Sequence, residues 1–136
     1  MSTRILVVDD NDELQAVIKR VFELEGFEVV QAFGGAEALR LAASEVFSLI
    51  LLDINMPGMD GRDVLSSLKR GGPSSGVPVL VHSSRNAQLD RHAVLQLGAD
   101  DYIDKPMDAR FLARRIGRML DMRKRTGETK RERPDE

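Results

Sequence analysis

The chain has 136 residues, 42% of them apolar and 31% charged, and a formal net charge of −2 at pH 7. This size and composition are typical of one globular domain, and the weak negative charge gives no electrostatic basis for binding nucleic acid or an anionic membrane. The absence of Cys excludes disulfides, thiolate metal sites and cysteine nucleophiles. Because no apolar run reaches the length of a membrane span and the N-terminus lacks a signal-peptide pattern, we expect a cytoplasmic protein.

Short apolar runs alternate with stretches of helical periodicity from the N-terminus onward. The strands predicted in chain order are Ile5–Val8, Glu28–Ala32, Leu49–Asp53, Val77–His82 and Asp101–Ile103. The helices predicted after them run from Asn11 to Gly26, over Gly35–Ser44, Arg62–Lys69 and Asn86–Leu97, and from Pro106 onward. Glycines at 26 and 98 and the glycine- and serine-rich run 71–76 supply the stop signals between these elements.

This strict alternation predicts an α/β fold, a doubly wound (βα)₅ arrangement with a parallel sheet between two layers of helices. The first, third and fourth strands are nearly all apolar, which is typical of central strands that are covered on both faces. In an open parallel sheet the functional site lies beyond the carboxyl ends of the strands. The residues at those ends are therefore the candidates for function.

Polar side chains follow four of the predicted strands at this edge. They are Asp9 and Asp10 after the first strand, Asp53 at the end of the third, Ser83 and Ser84 after the fourth, and Lys105 after the fifth. A single Asp after a strand is more often a turn or helix-capping residue than a functional one. Acidic, hydroxyl and ammonium groups at four strand ends together favour a shared site.

Clustered carboxylates need a compensating charge. Two carboxylates about 4 Å apart repel each other by about 4 kcal/mol at an effective dielectric constant near 20, and Lys105 offsets only part of that repulsion. An all-oxygen site suits Mg²⁺, or Mn²⁺ as an alternative, because Mg²⁺ binds one or two carboxylates, keeps several waters and takes phosphate oxygens as ligands. A carboxylate, a metal ion and groups that contact phosphate together serve phosphoryl transfer to an aspartate.

At this point the sequence resembles the receiver domain of two-component response regulators, over roughly residues 3–122. The motifs that carry the resemblance are ILVVDD, LLDINMPGMDG, VPVLVHSS and LGADDYIDKP. The resemblance implies a five-stranded sheet of order 2-1-3-4-5 between five helices. It also implies a phosphoprotein that accepts a phosphoryl group on Asp53, from a histidine kinase or a histidine phosphotransfer protein of a phosphorelay. A charged residue at the end of a buried strand is unfavourable unless it is compensated. In a receiver domain a metal ion and Lys105 would compensate the charge of Asp53.

The resemblance also assigns roles to the other residues of the edge. The Mg²⁺ ligands would be Asp9, Asp10, Asp53 and the backbone carbonyl of Asn55. Ser83, Ser84 and Lys105 would contact the phosphoryl group, and the peptide bond between Lys105 and Pro106 is expected to be cis. Ser83 and Tyr102 stand where the family has its switch residues, whose movement reshapes the face of helix four, strand five and helix five. For Tyr102, packing of strand five on a helix is an equally good explanation from sequence alone.

Three residues are expected to tune the lifetime of the phosphoryl group: Asn55, Ser84 and Arg85. Ser84 stands where the family usually has a smaller residue, so its hydroxyl would narrow access to the site. Arg85 would either screen the phosphoryl group or cap the helix that follows. Phe111 replaces a Glu that the family uses in a salt-bridged dimer through helices four and five, whereas Asp101 and Arg115 match charged positions of that interface. The sequence therefore leaves undecided whether the protein forms a phosphorylation-dependent homodimer.

Residues 123–136 contain no apolar side chain and are predicted to form a charged disordered tail or the start of a linker, after a receiver domain over 1–122. The output partner or fused effector domain is not specified by the sequence.

Two other classes of α/β protein are alternatives to the receiver domain. A phosphohydrolase of the haloacid dehalogenase type also uses an aspartyl nucleophile, but it needs a second Asp two residues later, where this chain has Asn55. A flavodoxin-like cofactor binder needs a phosphate loop after its first strand, and the acidic run 9–13 would repel a phosphate there. We therefore expect a signalling switch that acts only on its own phosphorylation and not an enzyme with a separate substrate.

Overall fold

The computed structural model of the protein describes the backbone of residues 3–84 and 91–131 and the side chains of residues 3–84 and 91–125. The strands are β1 (Thr3–Val8), β2 (Phe27–Ala32), β3 (Leu49–Leu52), β4 (Val79–Ser84) and β5 (Asp101–Lys105). The helices are α1 (Asp12–Leu24), α2 (Gly35–Ser44), α3 (Gly61–Lys69), α4 (Arg91–Gln96) and α5 (Ala109–Arg131). Within these ranges no helix is long and apolar enough to cross a membrane.

The five strands form one parallel sheet of order β2-β1-β3-β4-β5, so the predicted fold class and strand order are confirmed. The order places the ends of β1 and β3 side by side at the centre of the sheet. It places the end of β5 beside that of β4, where Ser84 pairs in register with Lys105. The polar residues predicted at the strand ends therefore share one edge.

Alternation along the strands divides the core into two layers. Leu6, Val8, Ile50 and Leu52 pack with α2, α3 and α4 on one face of the sheet. Their neighbours in sequence, such as Ile5, Val7, Leu49 and Leu51, pack with α1 and α5 on the other face. Because successive side chains of a strand point to opposite faces, runs of apolar residues such as Leu49–Leu52 fill both layers. This is the physical reason for the continuous apolar strands in the sequence.

The chain begins α1 with a side-chain cap. Asn11 is the residue before the helix, and its Oδ1 accepts a hydrogen bond of 3.0 Å from the backbone N–H of Leu14. Such a cap satisfies one of the free N–H groups of the first turn. The cap fixes Asp12 as the first residue of the helix, so the loop after β1 is short.

The start of β4 differs from the prediction, because the strand runs from Val79 to Ser84 and not from Val77 to His82. The N–H of Val77 donates to the Ser74 carbonyl within a turn, and Pro78 has no N–H to donate. The strand therefore begins at Val79, whose N–H donates to Asp100 Oδ2 at 2.8 Å. Ser83 and Ser84 consequently lie inside the strand and not after it.

Other element bounds also differ from the sequence prediction, among them that of β5, which continues past Ile103 and includes Lys105. Strand β3 ends at Leu52, so Asp53 follows the strand, and its N–H donates to the Val8 carbonyl at 2.9 Å. Helix α5 continues to Arg131, past the predicted domain boundary at residue 122. Arg123 ties this extension to the domain, because its Nη2 donates to the Gly76 carbonyl at 2.8 Å. That residues 123–136 lie outside the domain as a tail or linker stays a prediction.

A close approach of two backbones at Gly61 gives a first testable prediction. A Cβ at Gly61 would overlap the carbonyl oxygen and Cα of Ile54, which cannot move away as a flexible side chain would. We expect Gly61→Ala to lower the free energy of unfolding by about 2 kcal/mol, measured by urea denaturation. Gly117→Ala is the matched control, because a Cβ at this position of α5 meets nothing within 4 Å. The control should be neutral or stabilising by up to about 1 kcal/mol, and equal stability of Gly61→Ala and the wild type would refute the close approach.

Candidate functional site

Two carboxylates are buried at the carboxyl edge of the sheet. Asp9 follows β1 and is 2% exposed, and Asp53 follows β3 and is 4% exposed. Asp10, the next residue after Asp9, is exposed. One oxygen from each of the three carboxylates lies within 4.8 Å of the others. The structure therefore brings the three predicted acidic residues together at one point.

The ammonium group of Lys105 bridges the two buried carboxylates. Its Nζ lies 2.7 Å from Asp9 Oδ2 and 3.2 Å from Asp53 Oδ2. Partial burial of Lys105 lowers the pKa of its ammonium group, but the hydrogen bond to Asp9 and the charges of Asp53 and Asp9 outweigh this effect, so the pKa is raised. Lys105 is therefore held in its charged form. The bond to Pro106 that follows is cis, as expected from the sequence.

The surroundings of Asp53 do not fully stabilise its charged form. Burial raises the pKa of the Asp53 carboxyl above its usual value, and the nearby Asp9 charge acts in the same direction. The backbone N–H of Asn55, which donates to Asp53 Oδ1 at 2.9 Å, and the Lys105 ammonium oppose this shift without cancelling it. A carboxylate in this state gains from any further positive charge placed beside it.

The donor set fits a magnesium ion. Asp9, Asp10 and Asp53 offer only oxygen ligands, and Asp10 is open to solvent at the rim of the cluster. Mg²⁺ prefers oxygen ligands and keeps several of its waters, so a site with two buried carboxylates and one exposed one suits it. A divalent cation would also relieve the part of the repulsion between Asp9 and Asp53 that Lys105 does not compensate.

Ser83 lies beside this cluster and is connected to it through Asn55. The Nδ2 of Asn55 donates to Ser83 Oγ at 2.7 Å, and Ser83 is fully buried. Tyr102 on β5 is also buried, at 8% exposure, and packs in the core layer that contains Val81 and Val94. Its phenol lies close enough to Asp104 and Ser83 to interact with both, and burial, the largest cause, raises the pKa of Tyr102. The two predicted switch residues are thus neighbours, and Tyr102 already occupies an inward position.

The remaining predicted site residues are less closely connected to the carboxylates. Ser84 is half-buried at the end of β4, next to Lys105 in the register. Arg85, predicted to tune the lifetime of the phosphoryl group, lies outside the described residues, as does the predicted start of helix four at Asn86. Their roles stay predictions.

The structure also shows two buried polar residues to which the sequence had given no role. Gln15 on α1 is 1% exposed, and its Nε2 reaches three backbone carbonyls at the ends of β1 and β2. His82 on β4 is 2% exposed. The position of Gln15 was detectable, because it stands three residues before Ile18 on the buried face of α1. His82 is visible in the sequence as a titratable residue at the end of an apolar run, but the sequence does not indicate a role for it.

Comparison with known proteins identifies the family to which this arrangement belongs. The family described as response regulator receiver domain matches residues 5–117 of the chain. The chain belongs to this family. The prediction made from the four motifs is confirmed, and the haloacid dehalogenase alternative is not supported.

Curated relatives of this receiver domain include transcriptional regulatory proteins. PrrA of Mycobacterium tuberculosis (strain ATCC 25618 / H37Rv) is 44% identical over 128 residues, which are 94% of this chain and 53% of PrrA. CpxR of Escherichia coli (strain K12) is 41% identical over 117 residues, which are 86% of this chain and 49% of CpxR. The chain therefore spans about half the length of the curated relatives it matches.

Solved structures similar to this receiver domain show the same fold. A CheY-like response regulator receiver domain protein from Methanospirillum hungatei JF-1 is 32% identical with a TM-score of 0.85, and the match covers 93% of this chain and 99% of the other. The receiver domain of a sensor histidine kinase from Pseudomonas aeruginosa PAO1 is 29% identical with a TM-score of 0.80, over 89% of this chain and 99% of the other. That structure has a magnesium ion coordinated in its active site cleft.

The helical face next to the site carries the charged pair noted in the sequence. Arg115 on α5 donates through Nε to Asp101 Oδ2 at 2.9 Å, and Arg91 on α4 lies 3.7 Å from the other oxygen of Asp101. These charges are paired within the receiver domain itself. Phe111, which replaces the Glu that the family uses in its dimer, is 57% exposed and therefore lies on the surface of α5. A homodimer through this face stays a prediction.

The buried histidine of this receiver domain gives a prediction about pH. Burial lowers the pKa of His82 to about 4, and the Lys105 ammonium lowers it too, while Asp9 acts against both. Because the folded-state value lies below the ordinary 6.5, the unfolded chain binds the proton more readily, and stability is lost as the pH falls from 6.5 toward 4. Between about pH 7 and about pH 5 this group should account for a loss of about 2 kcal/mol.

The measurement is urea unfolding of the metal-free protein at several pH values within that window. In His82→Leu the fall in stability between neutral and acidic pH should be smaller than in the wild type by that amount. His92→Gln, at an exposed position of α4, is the matched control and should keep the pH dependence of the wild type. Parallel curves for wild type and His82→Leu would show that His82 is not the titrating group.

Proposed function

We propose that this receiver domain accepts a phosphoryl group on Asp53, in a Mg²⁺-dependent reaction, from a histidine kinase or a histidine phosphotransfer protein. The observation that carries the proposal is the buried Asp53 carboxylate, 3.2 Å from Lys105 and in one cluster with Asp9 and Asp10. Burial raises the pKa of the Asp53 carboxyl, so its charged form gains from a partner that adds positive charge. Asp53 also follows the central strand β3, close to groups suited to phosphate oxygens.

In the proposed reaction an Asp53 oxygen attacks the phosphorus of phosphohistidine or of a small phosphodonor. A phosphorus–oxygen bond to Asp53 forms, and the bond to the donor breaks, with its electron pair staying on the leaving group. Hydrolysis returns the carboxylate when a water oxygen attacks the same phosphorus. Lys105 can donate to an oxygen of the transferred group, because its ammonium already contacts Asp53 Oδ2. The chain needs no other substrate, so it acts on its own phosphorylation.

The residues proposed to hold Mg²⁺ are Asp9, Asp10, Asp53 and the backbone carbonyl of Asn55, and Mn²⁺ would serve in its place. When bound, the ion supplies positive charge for the oxygens of the transferring group. The exposed position of Asp10 leaves one side of the cluster open for the donor. Two buried carboxylates, each already held by a backbone N–H, support a fixed geometry for these ligands.

The proposed signal leaves the site through Ser83 and Tyr102. The Ser83 Oγ accepts a hydrogen bond from Asn55, and its own O–H is the group that would donate to a phosphoryl oxygen on Asp53. Phosphorylation adds about −1.5 to −2 charges and strong acceptor oxygens. A Ser83 hydroxyl drawn toward them would change the contact with Tyr102, and so the packing of α4, β5 and α5.

The wider context of the domain is also part of the proposal. Since PrrA and CpxR are transcriptional regulatory proteins about twice as long as this match, we propose a DNA-binding output domain beyond the receiver, with residues 123–136 as the start of the linker. The receiver itself would act in the cytoplasm without binding nucleic acid. Dimerisation on phosphorylation through helices four and five would bring two output domains together.

Phosphorylation of Asp53 can be tested with acetyl phosphate and MgCl₂. Intact-mass spectrometry should show one added phosphoryl group in the wild type and none in Asp53→Asn or in the presence of EDTA. Asp63→Asn, which changes an exposed acid on α3, is the matched control and should be phosphorylated like the wild type. Peptide mapping that places the group on another residue would overturn the proposal. Steady turnover of a phosphate ester that depends on Asp53 would instead support a phosphohydrolase.

Ser84 allows a test of phosphoryl lifetime. Its side chain lies at the end of β4 beside Lys105, where its hydroxyl would narrow the path of water to the phosphoryl group. Ser84→Ala should therefore dephosphorylate severalfold faster than the wild type, as followed by the decay of the phosphorylated mass. Ser75→Ala, an exposed serine in the loop before β4, is the control. An unchanged rate in Ser84→Ala would remove this residue from the list of tuning residues.

A further inference from the structure

The side chain of Gln15 contacts backbone carbonyls at the carboxyl ends of both β1 and β2, next to the acidic cluster. Its Nε2 lies 3.0 Å from the Val7 carbonyl, 3.1 Å from the Asp9 carbonyl and 2.9 Å from the Ala32 carbonyl. The side chain is 1% exposed, so these contacts are made away from solvent. An amide nitrogen has two hydrogens, so one of them is shared between two of the three acceptors.

The Asp9 carbonyl is the important acceptor of the three, because it belongs to the peptide unit that joins Asp9 to Asp10. The orientation of this peptide sets the directions of both side chains, one buried and one exposed. The same peptide segment is held at its other points too. The N–H of Asp9 donates to the Ala32 carbonyl at 3.1 Å, and Asp9 Oδ1 accepts from Asn11 N–H at 2.9 Å. Gln15 supplies the remaining tie, to the carbonyl.

The oxygen of the Gln15 amide shows which kind of hydrogen-bonding group this position requires. Its Oε1 is buried and has no hydrogen-bond partner among the described residues. Leaving a buried acceptor unpaired is unfavourable, so the amide is kept in this orientation by its donor side alone. The three carbonyls that converge on Nε2 can accept hydrogen bonds but cannot donate them. The position therefore calls for a hydrogen-bond donor, and the acceptor half of the glutamine contributes nothing there.

We propose that Gln15 is a positioning residue for the metal site: through its donor group it fixes the Asp9–Asp10 peptide and so the geometry of the two carboxylates that bind Mg²⁺. The inference rests on the proposed function of that cluster. Partners that orient metal ligands from the next layer commonly change metal affinity by 10- to 100-fold when they are removed. Gln15 touches neither the metal nor the phosphoryl group and acts only through the backbone.

The test compares Mg²⁺ affinity in three variants of metal-free protein, titrated with MgCl₂ by calorimetry and by amide chemical shifts of residues 9–11. Gln15→Met keeps the length of the side chain but removes the donor, and should raise the dissociation constant by about tenfold or more. Gln15→Lys offers three donors and no acceptor, so it should retain an affinity close to that of the wild type. Ile18→Val, a buried change one turn later on the same helix, should lose some stability and keep the affinity.

The outcomes separate this inference from the function on which it rests. If the wild type binds no Mg²⁺, the proposed function fails first. If the wild type binds and Gln15→Met binds equally well, the positioning role is wrong while the proposed function stands. Loss of affinity in Gln15→Lys as well as in Gln15→Met would also overturn the donor requirement. Should Gln15→Met not fold, as judged by circular dichroism, Gln15→Leu makes the same comparison.

Discussion

Two carboxylates buried side by side repel each other, and the site of this protein depends on the single ammonium group placed between them. Lys105 contacts Asp9 and Asp53 together, at 2.7 and 3.2 Å. Without it, two negative charges at the end of a closed core would be strongly unfavourable. The ammonium is not sufficient, however, because burial still raises the pKa of the Asp53 carboxyl. The negative charge that Lys105 does not compensate favours the binding of a metal ion at this edge and the reaction of Asp53 with a phosphoryl group.

The sheet makes this arrangement available through its strand order. Strands β1 and β3 are neighbours, so the acids that follow them meet at the centre of the edge. Lys105 stands at the end of β5, on the far side of β4, and its long side chain crosses over to the acids. Ser83 lies near the end of β4, the strand in between, and interacts with Tyr102 on β5. One edge thus connects the charged cluster with the face of α4, β5 and α5.

Hydrogen bonds from backbone N–H groups fix the orientation of the two buried carboxylates, which ion pairing with Lys105 alone would not determine. Asp9 and Asp53 each accept from the N–H two residues later in the chain, so each carboxylate is held by its own turn. Gln15 adds a tie from the opposite direction, to the peptide that follows Asp9. Asn55 serves twice, since its backbone holds Asp53 and its side chain holds Ser83. The geometry of the acids is therefore set mainly by short-range contacts within two loops.

The order of strands and helices along the chain and the fold class could be predicted from the sequence, because local periodicity indicates each element. The convergence of parallel strand ends also predicted that Asp9, Asp53, Ser83 and Lys105 lie at one edge, and the structure brings them together there, while their roles stay predictions. Contacts between separate segments became visible only in the folded chain: Lys105 bridges both acids, and the Gln15 side chain contacts the carbonyls of Asp9 and Ala32. These depend on burial and on which backbone groups have a partner, and residues far apart along the chain settle both only once they are packed together.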